Sequence, residues 1–188
     1  MKYAIAILAL PTLLAGCGKG DVDLKDASVE DVVKATVKSK SINPGQWSVS
    51  TEVLSVDLPG MPEKEKAMMA AMTKAMVGRK NIAESCVTKE QAEKPPAELF
   101  SGKNAGNCSF ENFSIDNGEM NATMNCTPSG GQAGAMKTSM KGQYGGDSYD
   151  IASEINMSGV PGAPGGTGMT IKSHSAGKRT GECKAVKG

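Results

Sequence analysis

Aromatic side chains make up only 4% of this 188-residue chain, and histidine occurs once. After residue 16 no apolar run approaches the roughly 20 residues that a membrane helix needs. None of the five cysteines sits in a CxxC pair, which argues against a zinc ribbon or a thioredoxin-like redox motif. Net charge is as scarce. The formal value is +1 and falls to zero if Lys2 is removed with a leader, so there is no general electrostatic case for nucleic acid as a partner. No paired carboxylates, nucleophile–base set or phosphate-binding glycine loop is visible. The chain therefore reads as a non-enzyme that needs no cofactor. His174 alternates along its segment with Lys172 and Ala176, while Ser173 and Ser175 point the other way, so it reads as a surface histidine.

What is present begins at the N-terminus. Lys2 gives a positive start, Ala4 to Leu14 is apolar, and Leu14-Ala15-Gly16-Cys17 places small residues before a cysteine. That order is an export signal. A cysteine at that point reads as a lipobox, with the thiol of Cys17 acylated and the chain cut before it. Residues 1–16 are then a signal peptide, 17–27 a lipidated tether, and 28–188 one domain. The acyl chains make the membrane the first partner, since each buried CH₂ contributes roughly 0.8 kcal/mol. Gly18 in place of an aspartate points to the outer membrane, with the domain facing the periplasm.

Four cysteines remain for an oxidising compartment, Cys86, Cys108, Cys126 and Cys183, and three pairings are open. Asn117 lies midway between Cys108 and Cys126. A three-residue hairpin loop Asp116-Asn117-Gly118, with Gly118 left-handed, sets those two cysteines opposite each other. This favours Cys108–Cys126 and leaves Cys86–Cys183, whose long loop adds about 4 kcal/mol in the chain-entropy description. A two-residue Asn-Gly turn shifts the register by one and weakens the argument.

The remaining elements follow from punctuation and periodicity. Ser28-x-x-Asp31 resembles a capping box, and Val29, Val32, Val33, Thr36 and Val37 predict an amphipathic helix over 28–39. Trp47, Val49, Thr51 and Val53 alternate on one strand face and Leu54 and Val56 on the other, which suggests a bulge or twist. Pro62 and Gly78 bracket a helix whose Met68, Met72 and Met76 share one face at i, i+4 and i+8. Asn81–Val87 reads as a strand, Cys108–Thr127 as a hairpin and Ala135–Tyr144 with Ser148–Met157 as another. Met169–Cys183 supplies one or two closing strands. The sum is a mainly β (α+β) domain: an antiparallel meander sheet with one or two helices packed on it, stapled by disulfides.

With few aromatics and 12 methionines, thioethers must fill much of the interior. The plain expectation for Met68, Met72 and Met76 is packing between helix and sheet. Two functional alternatives use the same residues: a soft-sulfur Cu(I) site, or a permissive lining for an apolar ligand. The basic run Lys172, Lys178, Arg179, Lys184 and Lys187 reads as a solvated face. The Pro59–Pro62 segment and the Pro/Gly loop at 161–166 read as chain reversals.

Several motifs in order resemble one bacterial envelope family. They are Pro44-Gly45-Gln46-Trp47, Pro59-Gly60-Met61-Pro62, Cys86-Val87-Thr88-Lys89-Glu90, the hairpin Cys108…Asn117-Gly118…Met124-Asn125-Cys126, and Gly177-Lys178-Arg179-Thr180-Gly181-Glu182-Cys183. Over roughly residues 43–183 they resemble the domain of unknown function 3617 family. The resemblance implies an exported, often lipid-anchored domain and brings no catalytic residue or cofactor. The functional expectation is a lipid-anchored binding or interaction module for an apolar ligand or an envelope protein partner, with Met-based Cu(I) handling as the alternative.

Overall fold

In the computed structural model the described residues are 21–38, 42–93, 107–127, 134–159 and 168–183, without the side chain of Met72. Residues 1–16, read above as a signal peptide, Cys17, Phe100, the loop at 161–166, Lys184 and Lys187 lie outside them. Eight strands form one antiparallel sheet: β1 (Val22–Ser28), β2 (Gly45–Asp57), β3 (Lys80–Val87), β4 (Asn107–Asp116), β5 (Glu119–Thr127), β6 (Met136–Tyr144), β7 (Ser148–Met157) and β8 (Met169–Gly181). Among the described residues three helices join them: α1 (Val29–Lys38), α2 (Glu63–Met76) and α3 (Lys89–Glu93). The spatial order is β1-β4-β5-β6-β7-β8-β2-β3. The expected meander is there from β4 to β8, but β1 joins it beside β4 and β2 beside β8.

β1 corrects the expected tether. Residues 22–28 pair with β4 from Val22 opposite Ile115 to Ser28 opposite Ser109, and Val22 and Ala27 are buried. The ordered domain thus starts at Val22 rather than residue 28. A strand mixing charged residues with only two large apolar ones resembles a solvated tether until β4 is present to receive Val22 and Leu24. α1 starts where the capping motif predicts. The Asp31 N–H donates to Ser28 Oγ at 3.1 Å, and Ser28 Oγ donates to the Asp31 carboxylate at 2.6 Å. That hydroxyl holds the Asp31 carboxyl below its ordinary range. Val32 and Thr36, one turn apart, are fully buried, and the Thr36 hydroxyl is satisfied by the Val32 carbonyl at 3.0 Å.

The hairpin between β4 and β5 reaches the expected cysteine pairing by another route. Asn117 and Gly118 both have positive φ (48° and 83°), and Asp116 faces Glu119. The turn therefore has two residues, not three. A bulge at Glu111 absorbs the one-residue shift, so Cys108 still stands opposite Cys126. Both bridges, Cys108–Cys126 and Cys86–Cys183, are formed. The bulge also puts Phe110 and Phe113, three residues apart, on one face, where their rings meet edge to face at 5.5 Å. Around them Val32, Ile115, Met120, Ala122 and Met124 complete the core, beneath α1 and across β1, β4 and β5. On the opposite face the Glu111 carboxylate accepts from Lys137 Nζ at 2.8 Å and Asn125 Nδ2 at 3.5 Å.

A bulge also interrupts β2, between Val53 and Ser55. It leaves Leu54 49% exposed and returns Val56, opposite Ile171, to the face of Val53. The expected change of face is thus confined to Leu54. At the other end of β2, Trp47 is buried, donates its indole N–H to the Asn43 carbonyl at 3.1 Å, and stacks on Tyr149 with centroids 6.3 Å apart. Gly177 lies beneath Tyr149, and a β-carbon there would enter the tyrosine ring.

Gly177→Ala is expected to displace Tyr149 and loosen the packing on Trp47. The cost should be about 1–3 kcal/mol, in line with overpacking elsewhere, read as a lower Tm and a red-shifted tryptophan emission. Lys137, and secondarily Asn125, lowers the pKa of Glu111. A depressed carboxyl contributes stability above its unfolded pKa and loses it as pH falls through the folded one. Lys137→Met should therefore raise the Glu111 pKa toward the ordinary glutamate range in a carboxyl NMR titration.

Candidate functional site

The sheet alternation separates two surfaces of different chemistry. One is polar. Across it runs a groove of about 420 Å³ crossing β4 to β8 and reaching Leu54 of β2; Asn121, Thr123, Ser139, Lys141, Glu154 and Lys172 are among its walls. Its charges are matched, Lys172 Nζ lying 3.7 Å from the Glu154 carboxylate and Lys141 3.5 Å from Glu119. His174 shares this surface, on a strand flanked on both sides rather than at an edge. Its Nε2 lies 2.8 Å from Asp150 Oδ1, and Glu52 faces it across β2. Ser173 and Ser175 belong to the opposite surface, as the alternation requires. The sequence reading missed Asp150 as a partner because it is 24 residues from His174, and only the β7–β8 register brings the two together.

The other surface is apolar and unevenly covered. Over β1, β4 and β5 it is the closed core beneath α1. Over β7, β8 and β2 the same surface carries Val49, Val53, Val56, Ile155, Ile171 and Met169, and each of these stays half-buried. Serines and glycines are interspersed among them, Ser153, Ser173, Ser175 and Gly177, so this half is shallower than the core half.

The methionines divide in a way the sequence did not indicate. Met120 and Met124 are core residues, with Met136 and Met140 packed against them. Met68 and Met76 on α2 are not core. No described side chain of that helix is buried; Met68 is 78% and Met76 41% exposed. For Met68 and Met76 the plain expectation, packing between helix and sheet, is not met. α2 has ordinary helix ends at Pro62 and Val77, and Gly78 N–H ties the following turn to the Val53 carbonyl at 2.8 Å. Met68 and Met76 are eight residues apart, about 12 Å along the axis, too far for one ion to hold both thioethers directly. Among the described residues no cluster of three His, Cys, Asp or Glu side chains could hold a metal ion.

The basic run at the C-terminus is partly engaged rather than simply solvated. Arg179 donates to the Pro44 carbonyl and pairs with Glu182, which closes the end of β8 over the start of β2. Beside it, Cys183 bridges to Cys86 on β3.

A protein-family model described as a protein of unknown function (DUF3617) matches residues 42–183. The chain belongs to the DUF3617 family. The match covers the sheet from β2 to β8 and both disulfides, while β1 and α1 precede it. No curated protein and no solved structure matches the chain. Among the described residues of this DUF3617 protein, no helix is long and apolar enough to cross a membrane.

Proposed function

We propose that this DUF3617 protein is a lipid-anchored protein of the bacterial envelope, a non-enzymatic module that holds an apolar ligand on the β7–β8–β2 part of its sheet. The observation that carries the ligand is the uneven cover of the apolar surface. One half is closed by α1, and the other half presents half-buried isoleucine, valine and methionine side chains. Apolar, partly polar-studded surfaces of this kind suit lipid-like molecules. The anchor rests on Leu14-Ala15-Gly16-Cys17. The early start of β1 supports it, because only residues 18–21 separate Cys17 from the sheet. A compartment that oxidises thiols agrees with both bridges. Outer-membrane attachment facing the periplasm, with two or three acyl chains, is the form we propose.

A second reading is favoured by the exposure of Met68. A Cu(I) ion would take thioethers from neighbouring turns of α2, Met68 with Met72 or Met72 with Met76.

Cys17→Ser is expected to abolish acylation, seen as lost mass, and to release the protein from the membrane fraction; unchanged mass and partitioning would remove the anchor. Native mass spectrometry of the wild-type protein extracted from membranes should show a co-purifying apolar molecule. Val56→Ser with Ile171→Ser should lose it without a large change in Tm. For copper, the full-length protein at micromolar concentration should draw Cu(I) from a chromogenic chelator, and Met68→Leu with Met72→Leu should weaken this; absence of competition by the wild type rejects that reading.

A further inference from the structure

The groove on the polar surface is built from side chains that stand opposite one another. Asn112, Thr123, Ser139, Glu154 and Lys172 are successive cross-strand partners from β4 to β8, and all of them line it. Five strands at the usual spacing make this row about 19 Å long, perpendicular to the strands. Beside it runs a second row, Asn121, Lys141 and Ala152, two residues along each strand and on the same face. The charges of both rows are already engaged. Lys172 pairs with Glu154, whose carboxylate also accepts from Asn156 Nδ2 at 3.1 Å, and Lys141 pairs with Glu119. What remains is neutral. The amides of Asn112 and Asn121 and the hydroxyls of Thr123 and Ser139 take no hydrogen-bond partner among the described residues, and Asn112, Asn121 and Thr123 are half-buried. Two apolar groups interrupt the polar lining: Ala152 in the second row, and Leu54, 49% exposed, at the β2 end.

We propose that this groove binds a linear, uncharged oligosaccharide of N-acetylhexosamine units laid across the strands. Amides and hydroxyls both donate and accept hydrogen bonds, which is the complement of a sugar's own hydroxyls. An anionic ligand would need an unpaired cation and a cationic one an unpaired carboxylate, and here the lysines and the glutamate satisfy one another. An acetamido group brings an N–H, a carbonyl and a methyl. The asparagine amides answer the first two, and Ala152 and Leu54 give the methyl an apolar seat. The volume, about 420 Å³, lies within the range of ligand clefts. The row is longer than one sugar ring, so a chain of sugars gains contacts that a single sugar cannot. The groove lies on the opposite face of the sheet from the apolar surface proposed above, and either site stands without the other.

The test titrates chitohexaose into the full-length protein by isothermal calorimetry, in a detergent without a sugar headgroup. Saturable binding with a Kd below about 1 mM is expected, little changed by added salt because no net charge is neutralised. N-acetylglucosamine alone, and cellohexaose, which lacks the acetamido group, should each bind several-fold more weakly. Asn112→Ala with Asn121→Ala should weaken chitohexaose binding about tenfold. Ala152→Leu, at an exposed position, should weaken it as much by filling the groove without touching the core, and an unchanged Tm in that variant separates lost contact from lost fold. Lys178→Ala, on the same surface but outside the groove, should bind as the wild type does. No binding of chitohexaose by the wild type, equal affinity for cellohexaose, a steep salt dependence, or wild-type affinity in the groove variants would overturn the proposal.

Discussion

The fold turns on one extra residue in β4. Glu111 occupies a bulge, and because of it Phe110 and Phe113 enter the same side of the sheet instead of opposite sides. In a chain with so few aromatic residues, two buried phenylalanines in edge contact are the centre of this core cluster. Val32 of α1 and Met120 and Met124 of β5 close on them. The same bulge brings Cys108 opposite Cys126 despite the two-residue turn. Its position is secured on the polar surface by Lys137 and Asn125, so the ion pair there and the core behind it depend on a single backbone irregularity.

The two halves of the sheet are built differently as a result. The β1–β4–β5 half has a helix, a disulfide and the closed core. The β7–β8–β2–β3 half has small residues, a stacked Trp47–Tyr149 pair, and the second disulfide at its rim. An apolar surface left half-covered is what remains when the helix and the large side chains are concentrated on one side. The surface proposed for an apolar ligand lies in that less covered half. Concentration of functional surface where packing is thinnest is expected physically, because such regions open at lower free-energy cost than the core.

Local signals in the sequence were reliable where one segment suffices to define them. The capping of α1 by Ser28 and Asp31, the ends of α2 at Pro62 and Gly78, and the β6–β7 hairpin all stood close to their expected bounds. The cysteine pairing was legible as well, although the reason differed, since the bulge at Glu111 offset the shorter turn. β1 was not legible, because a strand with as many charged as apolar residues is recognised only through its partner. The site was less legible than the fold. Asp150 beside His174 and the exposure of Ile82 on β3 are properties of register and sheet order, which leave no mark on neighbouring residues.

Sequence alone determined the mainly antiparallel architecture and most element boundaries, while the cysteine pairing it favoured came about through the bulge at Glu111. Turn chemistry, capping and alternation act within a few residues of one another, so the chain carries those instructions locally. Which apolar residues became core was decided by the tertiary structure. Met68 and Met76 of α2 have the same periodicity as a buried stripe, yet they remain exposed. Met120 and Met124, in a strand, are buried because α1 and the two phenylalanines close over that surface. Burial depends on what lies opposite, and that is fixed only when distant strands have taken their places.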